Sequence, residues 1–160
     1  MISCIKKHWQ GLVISILVAE LVGIMSSFLS GDVKSIYQDL FKPPFAPPDW
    51  LFGIVWPIMY LLMGIAAYLV YASSADEKEK KTALILYSIQ LALNFIWSIV
   101  FFRFGLHWCA FGIILLLDAF VVATIKEFCK ISKVSAKLMM VYLLWLLYAT
   151  YLNLGIAFLN

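Results

Sequence analysis

Five long apolar segments, separated by polar breaks, constrain the fold of this chain more than any other feature. Each has roughly the 20 residues that a helix needs to cross the hydrocarbon core of a bilayer. Because only helices and closed barrels span membranes, this pattern predicts an all-α membrane protein, a five-transmembrane-helix bundle. Residues 1–160 are then a single membrane domain. The predicted spans cover residues 11–29, 50–71, 83–104, 108–125 and 138–159.

Composition excludes most soluble classes of protein. Apolar residues make up 64% of the chain and charged residues 13%, whereas a soluble domain has about 45–50% and about 25%. So little polar surface could not cover a core in water, which excludes a soluble enzyme and a disordered tail. The lysines stand at span ends and form no single stripe, so no nucleic-acid partner is expected. Three cysteines without a CxxC pair predict neither a disulfide framework nor a metal site.

The basic residues are distributed unequally between the two ends of the predicted bundle. Of twelve Lys and Arg residues, only Lys34, Lys42 and Arg103 lie on one side. The other nine lie before the first span, in the charged turn 73–81 and in a predicted basic loop, 126–137. By the positive-inside rule, the N-terminus is predicted to be cytoplasmic and the C-terminus to lie outside. The expected location is the cell membrane, with lipids as partners.

The loop of residues 30–49 is unusual in length and in proline content. Two Pro-Pro pairs lie within residues 43–48, and proline fixes φ and removes a hydrogen-bond donor. The segment is therefore expected to be a stiff connector that enters the second span, with Asp49 as the helix N-cap. Two interpretations stay open: a simple helix stop, or a rigid lid over the mouth of the bundle. The length of the loop favours the lid.

Polar and aromatic residues recur at helical spacing inside three spans. A deeply placed tryptophan must find a partner for its indole N–H, so these tryptophans are predicted to face the bundle interior. The stripes could form hydrogen bonds between helices, or they could wall an aromatic cavity for a flat, largely apolar ligand. They comprise Trp56, Tyr60 and Gly64 in the second span, Gln90, Asn94, Trp97, Ser98 and Phe101 in the third, and Tyr142, Trp145, Ala149 and Asn153 in the fifth.

Two carboxyl groups, those of Glu20 and Asp118, fall within predicted spans. An intramembrane acid indicates a functional site. The alternative, which is favoured for Asp118, is a neutral acid hydrogen-bonded between helices. The chain contains no Ser/His/Asp arrangement, no acid-base carboxylate pair and no glycine-rich phosphate loop. Hydrolases and nucleotide-driven pumps are therefore not expected.

Three blocks of sequence resemble the signature motifs of the TspO/MBR family, the tryptophan-rich sensory proteins and mitochondrial translocator proteins. The first block is residues 42–64, KPPFAPPDWLFGIVWPIMYLLMG. The others are residues 90–102, QLALNFIWSIVFF, and residues 142–160, YLLWLLYATYLNLGIAFLN. The resemblance implies a five-helix bundle, usually dimeric. It also implies a receptor or sensor that binds porphyrins, haem-like compounds and benzodiazepine-site drugs in a cavity under the first loop.

The resemblance further implies which residues bind the ligand. No cofactor is required, because porphyrin is the ligand or the substrate. High-affinity sterol binding is not expected, since no basic residue follows Lys137. The implied ligand-binding residues are Tyr37, Pro47, Phe52, Trp56, Tyr60, Asn94, Trp97, Ser98, Trp145 and Ala149.

Two other functions stay open beside the receptor. One is a light-dependent, protoporphyrin-degrading enzyme, in which Trp56 and Trp145 would be the catalytic residues. The other is a small proton-coupled transporter that uses Glu20. The count of five spans argues against the transporter, because inverted repeats favour matching halves.

Overall fold

The computed structural model describes the backbone of residues 2–160 and the side chains from Trp9 onward. Residues 2–160 form six α-helices and one π-helical turn, with no strand. The helices are α1 (Ile2–Leu29), α2 (Val33–Asp39), α3 (Asp49–Tyr71), α4 (Glu77–Ser98), α5 (His107–Ile131) and α6 (Lys133–Leu159), and the π-helical turn (Ile99–Arg103) directly continues α4.

Five helical segments are long and apolar enough to cross a membrane. They are Trp9–Leu29 of α1, then α3, then α4 with the π-helical turn, then α5 and α6. Their outward faces expose large apolar side chains, such as Ile14 at 60% and Leu144 at 67%. Continuous apolar surface of this kind suits lipid and not water. The predicted all-α, five-helix membrane bundle is therefore confirmed.

The predicted basic loop over residues 126–137 is wrong. Helix α5 continues to Ile131 and α6 begins at Lys133, so Ser132 alone separates them. The Ser132 hydroxyl accepts a hydrogen bond of 3.2 Å from the backbone N–H of Ser135 and caps α6. Lysine and glutamate are good helix formers. The helices consequently run past the apolar segments, because hydropathy marks the lipid boundary and not the helix end.

The start of α3 also differs from the prediction. Pro48, and not Asp49, is the N-cap, and it makes no side-chain cap hydrogen bond. Asp49 is the first helical residue, where its carboxylate accepts hydrogen bonds from the N–H of Trp50 at 2.9 Å and from Gln38 Nε2 at 2.7 Å. The short helix α2, which the sequence did not predict, supplies Gln38, so the Asp49 carboxylate links α3 to α2.

Helices α1 and α3 pack backbone against backbone. A Cβ atom at Gly64 would lie 2.6 Å from the Cα of Ile16, so only glycine permits this approach. The Ser15 hydroxyl donates a hydrogen bond of 2.7 Å to the Gly64 carbonyl at the same crossing. Further along, Gly23 lies against the ring of Tyr60, with 2.4 Å to a hypothetical Cβ. These contacts set how α1 faces the rest of the bundle.

The proline-rich connector is held to α6 by side-chain hydrogen bonds. The Tyr148 and Tyr151 hydroxyls donate to the carbonyls of Phe45 and Pro44 at 2.6 and 2.7 Å. The side-chain amide of Asn160 accepts from the N–H of Phe41 at 3.0 Å and donates to its carbonyl at 2.9 Å. The connector is therefore fixed in place, although Phe45 has a φ of 62° and is itself exposed. We call this end of the bundle, with residues 30–49, the proline-rich end.

Candidate functional site: a cavity walled by tryptophan

A cavity of about 750 Å³ lies between α1, α2, α3, α4 and α6 at the proline-rich end. Its volume falls within the range of about 300–1,000 Å³ typical of small-molecule sites. The starts of α2 and α3 line the part of the cavity at this end of the bundle, which we call its mouth. The halves of the helices nearest that end form its walls. Most of the lining is apolar or aromatic, with a few polar groups.

The aromatic wall is built on α3 and α4. The ring centroid of Trp56 lies 6.0 Å from that of Tyr60 and 6.2 Å from that of Trp97. Trp97 stacks in turn on Phe101 at 5.4 Å. The indole Nε1 of Trp97 donates to Asn153 Oδ1 at 2.9 Å, so this ring has a fixed orientation. The wall thus offers large, rigid aromatic faces to a ligand.

Polar groups form the inner end of the cavity. Asn94 is buried, accepts a hydrogen bond of 3.4 Å from the Tyr60 hydroxyl and donates one of 2.8 Å to the Tyr142 hydroxyl. Asn94 and Tyr60 line the cavity, whereas Tyr142 lies behind them. The two interpretations of the polar stripe on α4 are therefore compatible, since Asn94 joins three helices and also faces the cavity.

Eight of the ten predicted ligand-binding residues line the cavity, namely Tyr37, Phe52, Trp56, Tyr60, Asn94, Trp97, Ser98 and Ala149. Ser98 also shares a hydrogen bond of 2.9 Å with Ser30. These residues come from α2, α3, α4 and α6, and the fold brings them to one chamber.

Pro47 and Trp145 do not line the cavity. Pro47 is buried behind Tyr37, and its carbonyl accepts a hydrogen bond of 2.9 Å from the Tyr37 hydroxyl. Trp145 lies behind the wall, edge-on to Trp56 at 6.3 Å and to Phe52 at 6.1 Å. Both residues support the lining without forming it. Ligand contact by Pro47 and Trp145 is therefore not seen in the geometry of the cavity.

Helix α1 supplies a wall that the sequence analysis missed. Glu20, Gly23 and Ile24 face the cavity, as do Ser26, Ser27 and Phe28. Glu20 was recognised as an intramembrane acid, and small residues follow it at positions 23, 26 and 27. That pattern is the signal that could have located this wall. The other intramembrane acid, Asp118, lies elsewhere and accepts a hydrogen bond of 2.9 Å from the Thr150 hydroxyl, between α5 and α6.

The mouth of the cavity carries a small charged network. Asp49 Oδ2 lies 2.7 Å from Gln38 Nε2 and 3.8 Å from Lys34 Nζ. Lys42 does not join this network, because its ammonium group donates to the carbonyls of Tyr37, Gln38 and Leu40. The mouth is thus closed on one side by α2 and its polar links to α3.

Tyr37 connects the mouth to the proline-rich connector. Burial, followed by the nearby Tyr148 and Asp49, raises the pKa of its phenol to about 12. The phenol therefore keeps its proton at neutral pH, and its O–H donates a hydrogen bond to the Pro47 carbonyl. Its ring meets that of Phe52 edge-on at 4.8 Å.

Comparison with known proteins identifies the family. The TspO/MBR family model matches residues 15–159. The tryptophan-rich protein TspO of Archaeoglobus fulgidus is 38% identical over 152 residues, which cover 93% of this chain and 96% of that protein. The human translocator protein is 36% identical over 129 residues, covering 80% and 76%. The tryptophan-rich sensory protein of Cereibacter sphaeroides is 35% identical over 117 residues, covering 73% and 72%.

These matches span the cavity-forming helices and most of the chain, and they agree with the five membrane-spanning segments of the structure. The chain is therefore a multi-pass membrane protein that belongs to the TspO/MBR family.

Proposed function

We propose that this protein is a membrane receptor or sensor that binds a flat aromatic ligand of the tetrapyrrole class in its cavity. Protoporphyrin and haem-like compounds are the proposed ligands, and aromatic drugs of the benzodiazepine-site type are proposed to compete for the same space. The observation that carries the proposal is the wall formed by Trp56, Tyr60 and Trp97. The names of two relatives, a sensory protein and a translocator protein, support a membrane sensor or receptor.

The chemistry of the cavity supports a ligand that is mainly apolar. Rigid rings stack on flat ligands at little cost in conformational entropy, and a few polar groups fix the orientation. Asn94 and Ser98 are the polar groups placed for this role on α4. Carboxylates of a tetrapyrrole would lie at the mouth, which Lys34 lines. The loop of residues 30–49 is proposed to act as the lid through α2, whose first residues line the cavity.

The test is a titration of the purified protein with protoporphyrin in the dark, read by quenching of tryptophan fluorescence and by absorbance. Trp56→Ala is expected to weaken binding about tenfold or more, because it removes a stacking face worth about 1.5 kcal/mol together with buried apolar area. Trp108→Phe is the matched control, since Trp108 packs on Phe158 and does not line the cavity. Equal affinities for the wild type and Trp56→Ala would refute this placement of the ligand.

A second candidate function is light-dependent degradation of bound protoporphyrin. The contact that favours it is the edge-on packing of Trp145 against the cavity-lining Trp56. Illumination of the complex should then yield a product that detergent-solubilised protoporphyrin alone does not form, and Trp145→Phe should slow its formation. If the protein sample shows only the bleaching seen in detergent, the enzyme is excluded and the receptor remains.

We also propose that the protein is a homodimer, as the family resemblance implies. Light scattering of the purified protein, corrected for bound detergent, should give twice the 18.2 kDa mass of the chain. A mass of one chain in several mild detergents would contradict the dimer.

A further inference from the structure

Glu20 is an acid of the cavity wall that the proposed function does not use. It stands near the middle of the membrane-spanning part of α1, Trp9–Leu29, and it lines the cavity. Within residues 9–160, the structure gives its carboxylate no hydrogen bond and no salt bridge. An acid at this depth is costly to keep, and such residues mark binding sites or ion pathways.

The surroundings of Glu20 are aromatic. One turn along α1 from Glu20, Gly23 lies directly against the ring of Tyr60. On the same cavity wall, the ring of Trp56 contacts the rings of both Tyr60 and Trp97. The fold therefore places one carboxyl and three electron-rich rings around a single chamber. A carboxylate combined with aromatic faces is the arrangement that recognises an ammonium group, through charge pairing and cation–π attraction.

The other charges of the cavity wall strengthen this preference. The carboxylic acids and basic residues of the lining are Glu20, Asp32, Asp49 and Lys34, so acids outnumber bases. Lys34 is paired with Asp49 at 3.8 Å. Asp32 caps α2 by accepting a hydrogen bond from the N–H of Ser35. The lining therefore contains no unpaired basic residue that could neutralise Glu20. The wall as a whole attracts positive charge more than negative charge.

We propose that the cavity binds protonated aromatic amines, with the ammonium or ring N–H⁺ against Glu20 and the flat ring system against Trp56 and Trp97. This ligand class differs from the carboxylate-bearing tetrapyrroles of the proposed function. The proposal does not depend on whether protoporphyrin binds, because the amine is recognised by Glu20 and the tetrapyrrole is not.

The experiment compares two ligands that share one ring system. The first, 9-aminoacridine, is a cation at neutral pH, and the second, acridine, is neutral there. Each is titrated into the purified protein in a non-ionic detergent, and partition into empty micelles is subtracted. The wild type is expected to bind 9-aminoacridine at least about tenfold more tightly than acridine. Glu20→Gln, which removes the charge but keeps the shape, is expected to bring the two affinities within about twofold.

Asp118→Asn is the matched control. It removes the other intramembrane carboxyl, which is hydrogen-bonded to Thr150 and does not line the cavity. It should keep the wild-type preference for the cation. An unchanged acridine affinity in Glu20→Gln shows that the cavity of that variant is intact.

Three results would overturn the proposal. They are equal affinities of the wild type for the two acridines, a cation preference that survives in Glu20→Gln, and a preference that is lost equally in Asp118→Asn. If Glu20→Gln binds neither ligand, Glu20→Asp decides the matter. Glu20→Asp keeps the negative charge, so it must bind 9-aminoacridine several-fold more tightly than acridine. Equal affinities of this variant for the two ligands overturn the proposal. Loss of protoporphyrin binding alone would contradict only the proposed function.

Discussion

Asn94 shows how a single side chain can join the packing of the bundle to the cavity. Its amide links the Tyr60 hydroxyl of α3 to the Tyr142 hydroxyl of α6, and all three residues are buried. Hydrogen bonds between membrane helices are worth about 0.6–2 kcal/mol each. Removing the amide also leaves two buried phenols without this partner, which adds a desolvation cost.

Asn94→Leu is therefore expected to lower the free energy of unfolding by about 1–3 kcal/mol. Denaturation in mixed micelles of detergent and SDS, followed by circular dichroism, measures this change. Ser88→Ala on the same helix is the control, because the Ser88 hydroxyl is exposed and bonds only to the Leu84 carbonyl of its own helix. Equal stabilities of Asn94→Leu and Ser88→Ala would show that the network does not stabilise the bundle.

The raised pKa of Tyr37, at the proline-rich end, predicts how the stability of the fold depends on pH. The folded protein holds the pKa of this phenol at about 12, above its ordinary value of 10.0. The folded state therefore binds the proton more tightly than the unfolded state does. The stabilising contribution is complete below pH 10 and is lost as the pH rises from about 10 to about 12.

Tyr37→Phe should consequently lose less stability than the wild type between about pH 10 and about 12, where the wild type loses the contribution of the phenol. Below pH 9 it should be less stable than the wild type, because the hydrogen bond to the Pro47 carbonyl is missing. Thermal unfolding at several pH values measures both effects. Parallel curves for the two proteins across the whole range would contradict the assignment to Tyr37.

At the scale of helices, the crossing of α1 and α3 positions one wall of the cavity. The glycines at positions 23 and 64 allow α1 to approach α3, and this approach turns Glu20 toward the chamber. A side chain at position 64 would push the helices apart, since the obstacle is backbone and cannot rotate away. The geometry of the cavity thus depends on a residue outside its lining.

Gly64→Ala is expected to destabilise the protein by about 1–3 kcal/mol, as overpacking of a close contact does. It should also weaken ligand binding. Gly112→Ala is the matched control on α5, where a new Cβ meets nothing within 4 Å. That variant should be neutral or slightly stabilising, because alanine is the better helix former. If the two variants unfold at the same denaturant concentration, α1 and α3 do not pack as closely as the structure shows.

At the scale of the whole molecule, the bundle has a proline-rich end with the cavity mouth and an opposite end with most of the lysines. The positive-inside rule predicts that the lysine-rich end is cytoplasmic and that the mouth opens outside. Ligands in the cavity would then exchange with the outer side of the membrane.

Cysteine labelling in intact cells tests this orientation. In a background without native cysteines, Ser35→Cys near the mouth should react with a membrane-impermeant maleimide. Ser74→Cys in the opposite turn should react only after permeabilisation, although both positions are exposed. The reverse pattern would invert the predicted topology.

Much of the architecture was predictable from the sequence. The number of spans, the connector and the inward stripes follow from hydropathy and from the helical period, which are properties of each segment alone. The helical period also predicts that Tyr60, Asn94 and Trp97 face the interior, and all three line the cavity. The prediction from hydropathy failed at helix ends, as over residues 126–137, because a helix can extend beyond the lipid on favourable propensity.

Hydropathy and helical period are enough to predict a five-helix membrane protein with aromatic residues facing its interior. The tertiary packing alone selects the surfaces that form the cavity. It put α1 and Glu20 into the wall, and it set Trp145 behind Trp56. The physical reason is that the rotation of a helix about its own axis depends on what its neighbours allow. Here the rotation of α1 is set by its close approach to α3 at Gly64 and Gly23. The sequence pattern of a single helix does not reveal that approach.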